Sequence, residues 1–212
     1  MKPIGILGGT FDPVHHGHLR LALELYDALD LAEVRFIPLR TAPHREAPLA
    51  GRDLRCAMLE AAIKDEAGLC VDDRELSREG PSYTVDTLTS LREELSDTPL
   101  CLIMGMDAFR TLASWHDWTR LPELAHIVVV GRPGAHLTGD VELQKLLAER
   151  SVEDPSALHD QPAGHVFLAA IPMLDITASG IRAMIASGRS PCFLLPSSVL
   201  VLIHQHGLYA DS

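Results

Sequence analysis

Residues 3–18 read Pro3-Ile4-Gly5-Ile6-Leu7-Gly8-Gly9-Thr10-Phe11-Asp12-Pro13-Val14-His15-His16-Gly17-His18. Residues 3–7 form an apolar run suited to a short buried strand, and Gly8 and Gly9 break it. From His18 to Leu29 the apolar residues Leu19, Ala22, Leu23, Tyr26 and Leu29 recur at helical spacing. The chain therefore opens as strand, glycine loop, helix. Paired glycines let backbone amides approach a ligand closely. The helix that follows points its free N–H groups and positive dipole end at the same loop, which makes the loop an anion site. His15 and His18 lie three apart, so at a helix entry they project to one side and can donate to phosphate oxygens. The loop has neither the GK[ST] of a Walker A motif nor the GxGxxG of a dinucleotide fold. Three histidines in four positions also fit a metal cluster. Such a cluster needs further ligands at set spacings, and Asp12 is the one at hand.

The same alternation continues outward from this unit. Residues 34–39 (VRFIPL) read as a second strand, 52–67 as a helix and 69–73 as a short strand. Ser82 or Thr84 stands as N-cap before a helix carrying Val85, Leu88, Leu91 and Leu95. The runs 100–105 (LCLIMG) and 126–131 (HIVVVG), and then 166–171 (VFLAAI), are continuously apolar, as expected of parallel strands buried on both faces. Helices at about 178–187 and 197–206 close the chain. The pattern predicts an α/β fold, a doubly wound parallel sheet of Rossmann-like form, in a single domain over 1–212. The polar stretch 134–164, with one short helical pattern, reads as a surface insertion. In such sheets ligands bind outside the carboxyl ends of the strands, which singles out the loops at 8–18, 40–46, 105–116 and 131–134.

Bulk properties narrow the function classes. The 212 residues carry 29 acidic and 18 Lys or Arg side chains, a net charge of -11, which disfavours nucleic acid and anionic lipid as partners. A local pocket of His and Arg can still take a nucleotide. No apolar run approaches a bilayer span, and the N-terminus lacks the apolar core of a signal peptide, so the expectation is a cytoplasmic protein. Cys56, Cys70, Cys101 and Cys192 are scattered without a CxxC pair and read as buried reduced thiols.

The string GGTFDPVHHGH at 8–18 resembles the signature of the nucleotidyltransferase superfamily, GG(T/S)FDPxHxGH. Along nearly its whole length the chain further resembles the bacterial nicotinate-nucleotide adenylyltransferase family. Ala42-Pro43-His44-Arg45 is similar to that family's PPH(K/R) loop, with Ala42 for the first Pro and Leu39, Arg40 and Thr41 where the family often has an Asn. Glu75 to Leu88 resembles E(x)nRxGxSYTxDTL, and Gly105-Met106-Asp107-Ala108-Phe109 with Trp115 resembles GxDxFxxxxxW. Val130-Gly131-Arg132-Pro133 resembles a late-strand RP turn. Ile176 to Arg182 (ITASGIR) aligns with ISSTxIR, with Ala178 lacking the family's second Ser hydroxyl and Ser179 in place of its Thr. Residues 201–209 resemble the VxxYIxxHGLY ending, read as structural and closing the sheet edge.

The resemblance implies transfer of AMP from ATP to nicotinate mononucleotide, giving deamido-NAD and pyrophosphate, with Mg²⁺ accompanying ATP. It implies His15 and His18 as catalytic residues. The implied ATP site comprises Gly8, Gly9, Thr10, Phe11, His15, His18, Arg132, Ser179 and Arg182. The implied mononucleotide site comprises His44, Arg45, Thr84, Asp107 and Trp115, with Trp115 stacking on the pyridine ring. His16 falls on the motif's variable position. No protein metal ligand, nucleic acid or membrane is implied, and a monomer or a homodimer is compatible. The rival readings are an enzyme for nicotinamide mononucleotide, a phosphopantetheine adenylyltransferase, and a non-catalytic nucleotide-binding regulator. The last would be favoured by loss of His15 or His18, and both are present.

Overall fold

The computed structural model describes residues 1–40, 47–131 and 140–210. Seven strands form one sheet: β1 (Ile4–Gly9), β2 (Glu33–Pro38), β3 (Leu69–Val71), β4 (Leu100–Gly105), β5 (His126–Gly131), β6 (Ser151–Val152) and β7 (Val166–Ala170). Their order is β3-β2-β1-β4-β5-β7-β6, and every pairing is parallel. Nine α-helices are described between and after them: α1 (His16–Ala28), α2 (Arg52–Ile63), α3 (Arg74–Ser77), α4 (Thr84–Leu95), α5 (Met106–Arg110), α6 (Leu121–Leu124), α7 (Val141–Arg150), α8 (Ala178–Ala186) and α9 (Ser197–Gln205).

The strand runs are apolar without interruption because both faces of the sheet are covered. Period-2 alternation sends successive residues to opposite layers. Leu7, Ile103 and Val128 join Phe11, Leu25, Phe36, Met58, Leu59 and Val199 in one cluster. Ile6, Leu102, Ile127 and Val129 join Val85, Leu88, Phe109 and Leu143 in the other. The doubly wound parallel sheet is the one expected.

Of the four cysteines expected to be buried, Cys101 in β4 is; Cys56 and Cys70 are partly exposed and Cys192 is exposed. Other local differences have physical causes. The helix expected to run to 67 stops at Ile63, and a turn follows through Gly68 at φ +84°. α1 starts earlier than expected, at His16, so His18 lies within its first turn. Within the stretch 134–164, expected as a surface insertion, residues 140–164 contribute to the packed body. Asp140 caps α7 by accepting from the Glu142 and Leu143 N–H groups, and Leu143 and Leu158 are fully buried. β6 adds the last strand of the sheet beside β7. Among the described residues no helix is long and apolar enough to cross a membrane.

The strand order reverses direction between β1 and β4, where a crevice is expected at the carboxyl ends. The pairing shows that crevice directly. β1 stays paired to β2 as far as Gly9↔Pro38, but its pairing with β4 ends at Leu7↔Ile103. Beyond that point Gly8 on one side and Gly105 on the other have open space where a side chain would begin.

Candidate functional site

The loop from Thr10 to His15 leaves β1 at the lip of this crevice. Phe11 takes a left-handed conformation (φ +48°) and its ring turns inward, edge-on to His18 at 5.1 Å and tilted on Phe36 at 5.6 Å. Gly9 makes room for it, because a Cβ there would stand 2.8 Å from the Phe11 ring. Phe11 is thus a buried wedge, and only its backbone can face a ligand.

His15 is the N-cap of α1, with extended backbone and a side chain that makes no capping bond. Its carbonyl accepts from the His18 and Leu19 N–H groups. The N–H of His16 donates to Leu194, while that of Gly17 has no acceptor among the described residues. The imidazoles of His15 and His18 stack with centroids 3.7 Å apart and planes 26° apart. This stack needs Gly17: a Cβ there would stand 2.9 Å from His15 Nδ1 and 3.4 Å from the Ile176 carbonyl.

Burial, and secondarily the neighbouring histidine, push the His15 imidazole down to about 4 and the His18 imidazole down to about 3. Both rings are therefore neutral near pH 7 and each carries one proton. Both Nδ1 atoms are buried without a partner among the described residues. An orphaned lone pair is tolerated better than an orphaned N–H, so we assign the proton to Nε2 in each ring. The result is two N–H donors and an open helix amide at one crevice.

α8 abuts this region. Thr177 caps it by accepting from the Gly180 N–H at 3.1 Å, and Ser179 stands exposed in its first turn with Oγ 3.4 Å from Thr177 Oγ1. Arg182 donates from Nη1 to the Asp12 carbonyl at 2.7 Å, so the second expected ATP segment is joined to the first.

On the other side of the sheet, α4 begins at Thr84, with Tyr83 as N-cap and no side-chain cap. Neither Ser82 nor Thr84 caps it. Ser82 Oγ instead accepts from the Arg40 N–H at 3.1 Å. The first acceptor, the Tyr83 carbonyl, serves Asp86 and Thr87, which leaves the Thr84 and Val85 N–H groups without acceptors among the described residues. Tyr83 packs on His116 with ring centroids 4.3 Å apart, so the α4 terminus and the loop carrying Trp115 are neighbours. Trp115 is half-buried against the core, and Asp107 is exposed and paired with Arg110 at 2.8 Å. His44, Arg45 and Arg132 lie outside the described residues.

Several residues of this region escape sequence reasoning. The sequence offers Asp12 only as a metal ligand. Its carboxylate, 3% exposed, accepts from the N–H groups of Leu49 (2.8 Å) and Ala50 (3.1 Å) and from the Tyr209 hydroxyl (2.6 Å). Tyr209 is not at a sheet edge, where β3 and β6 lie; it sits beneath the loop. Burial, then the Asp12 hydrogen bond, push its phenol up. Arg55, on α2 and 1% exposed, donates to the Thr10 carbonyl at 2.8 Å. The only signals for these contacts were the Asp of FDP and the Tyr of GLY. Among the described residues no group of three or more His, Cys, Asp or Glu could hold a metal ion.

Comparison with known proteins agrees with this construction. Residues 6–184 match the cytidylyltransferase-like family. A probable nicotinate-nucleotide adenylyltransferase of Methylococcus capsulatus is 50% identical over 208 residues, 98% of this chain and 99% of that protein. One of the same name from Aeromonas salmonicida is 49% identical over 98% of this chain and 97% of its own. The structure of nicotinic acid mononucleotide adenylyltransferase from Plasmodium falciparum, complexed with NaAD, superposes with a TM-score of 0.75 over 99% of this chain and 98% of its own, at 18% identity, a likeness of fold. Through the residues 6–184 and the near-complete coverage of its relatives, this chain belongs to the nicotinate-nucleotide adenylyltransferase family within the cytidylyltransferase-like proteins.

Proposed function

We propose that this chain transfers AMP from ATP to nicotinate mononucleotide, giving deamido-NAD and pyrophosphate. The observation that carries the reading is the stacked His15–His18 pair beside the unpaired Gly17 amide, at the crevice between β1 and β4. The phosphate monoester is already an anion, so its attack needs no general base. One of its oxygens forms a bond to the α-phosphorus of ATP while the bond from that phosphorus to the β-bridging oxygen breaks. Pyrophosphate leaves with that electron pair. Positioning and charge stabilisation supply the catalysis. His15 and His18 donate through Nε2 to phosphate oxygens, and Gly17 adds its amide. Ser179 and Arg182 extend the donor set from α8.

The pyridine carboxylate is assigned to the open Thr84 and Val85 amides at the start of α4, with Trp115 as stacking face. A helix of 12 residues supports that carboxylate through its positive end. Mg²⁺ supplies charge neutralisation when bound with ATP. If it accompanies ATP, the ion would be held by phosphate oxygens and water. These soluble reactants fit a cytoplasmic enzyme.

The test is pyrophosphate release from ATP, dependent on nicotinate mononucleotide. His18→Ala should lower kcat by on the order of 10²–10³, the loss of one transition-state donor, and His16→Ala far less. Near-normal turnover by a folded His18→Ala protein would refute the reading.

A further inference from the structure

The loop that presents the histidines makes few of its anchoring contacts with its own strand or helix. Its Asp12 carboxylate, buried, is held from below by two amides of the 49–50 segment and by the hydroxyl of Tyr209. Its Thr10 carbonyl is held by Arg55, whose guanidinium is buried and, among the described residues, faces Asp12 without a direct ion pair and has no partner at Nε. Burial works against the Arg55 charge, and the Asp12 carboxylate works in its favour. Tyr209 comes from the other end of the chain, 197 residues away in sequence. It reaches the loop because α9 packs on α2, where Ser198 Oγ donates to the Ala61 carbonyl at 2.9 Å, and because the backbone turns through Gly207 (φ +58°) and Tyr209 itself (φ +65°).

The tail does more than fill space. A Phe would fill the same volume, yet the structure places a hydroxyl 2.6 Å from a carboxylate that already has two donors. Asp12 is three residues before His15, and the intervening Pro13 and Val14 are buried, so little slack separates the carboxylate from the first imidazole. We propose that Tyr209 is a positioning residue for adenylyl transfer: through Asp12 and the 12–15 backbone it sets the placement of the His15–His18 stack. The proposal rests on the adenylyltransferase reading for its kinetic consequence, but not for its structural one.

The test is Tyr209→Phe, compared with Ser198→Ala, which loosens the same tail without touching the loop. Three readouts are taken: kcat and both KM values for pyrophosphate release, thermal unfolding, and the imidazole NMR resonances of His15, His18 and His126. Tyr209→Phe should lower kcat by about tenfold or more, because small misplacement of reacting groups is strongly felt. KM for nicotinate mononucleotide should stay within about twofold. The His15 and His18 resonances should move, and His126, at the start of β5, should not. Ser198→Ala should lower stability and leave kcat and all three resonances in place. If Tyr209→Phe fails to fold, Asp12→Asn keeps the side-chain shape, removes the charge and must move the same two resonances. Unchanged His15 and His18 resonances overturn the proposal, whatever happens to kcat. So does an equal loss of kcat in Ser198→Ala. If wild-type protein does not turn over nicotinate mononucleotide while the two resonances move as described, the adenylyltransferase reading fails and the positioning stands.

Discussion

Replacing Gly17 by Ala places one methyl group against the histidine pair. The added Cβ would stand 2.9 Å from His15 Nδ1 and 3.0 Å from His15 Cε1, closer than carbon and ring atoms tolerate. His15 cannot yield freely. It is 5% exposed and has the His18 ring stacked at 3.7 Å, and Ile176 O stands 3.4 Å from the new methyl. The ring must shift by roughly half an ångström to an ångström, and overpacking of this kind costs about 1–3 kcal/mol. Ala in place of Gly returns up to about 1 kcal/mol through helix propensity, so net stability should fall only modestly. Catalysis should fall further, because a displacement near 1 Å can reduce rate by about 10²-fold. The expected result is a kcat lower by about 10- to 100-fold in a protein whose melting temperature falls by up to about 8 °C, read by pyrophosphate release and calorimetry. A double-mutant cycle sharpens the test: in a His15→Ala background the obstruction is gone, and Gly17→Ala should then change kcat by less than about twofold. Wild-type kcat in Gly17→Ala, or the same loss with and without the His15 side chain, would refute the steric argument.

Arg182→Ala should lower kcat/KM for ATP by about 10²-fold through loss of a charge-assisted donor, and Arg182→Lys should recover only part of it, since an ammonium lacks the planar fork; unchanged ATP kinetics would count against the placement of α8. Acid should destabilise the protein through His126, which is fully buried, accepts the His165 N–H at Nδ1 and contacts the Gln161 carbonyl at Nε2. Its imidazole is pushed down to about 4 by burial, from an ordinary value of 6.5, so the folded state prefers it neutral. The contribution is therefore complete above about pH 6.5 and is lost as pH falls towards 4, by about 3 kcal/mol in all. Urea unfolding at pH 7 and pH 4.5 should show a smaller pH dependence in His126→Gln, and equal slopes would contradict this.

The parts of the fold that could be read early are those whose physics is local. β1, the glycine pair and α1 follow from a buried run, a break and a 3.6-residue period within 30 positions, and the strands from 100 and 126 announce themselves by uninterrupted apolar runs. β6 is two residues long and has no period to read. The start of α4 after Tyr83 is not legible because Ser82 is a better cap by composition, while its hydroxyl is taken by the Arg40 amide, 42 residues away. The same limit hid the underside of the site. Thr10 and Arg55 are 45 residues apart and Asp12 and Tyr209 are 197 apart, so no spacing rule joins them. Gly17 was legible as part of a motif, but its reason, room for the His15 ring, exists only once the two imidazoles are stacked.

The most direct measurement is kcat/KM for nicotinate mononucleotide against nicotinamide mononucleotide, with ATP saturating. The Thr84 and Val85 N–H groups at the start of α4 have no acceptor among the described residues and face an acceptor with two equivalent oxygens better than a carboxamide. A carboxamide turns its NH₂ toward one donor, and an unpaired buried donor costs about 1–3 kcal/mol. At 1.4 kcal/mol per decade, the acid should be preferred by at least about tenfold to a hundredfold. Thr84→Pro, which deletes one of the donors, should shrink that ratio, whereas Trp115→Ala should weaken both substrates and leave it nearly unchanged. Equal kcat/KM for the acid and the amide in the unmodified protein would contradict the assignment of the α4 terminus as the carboxylate site.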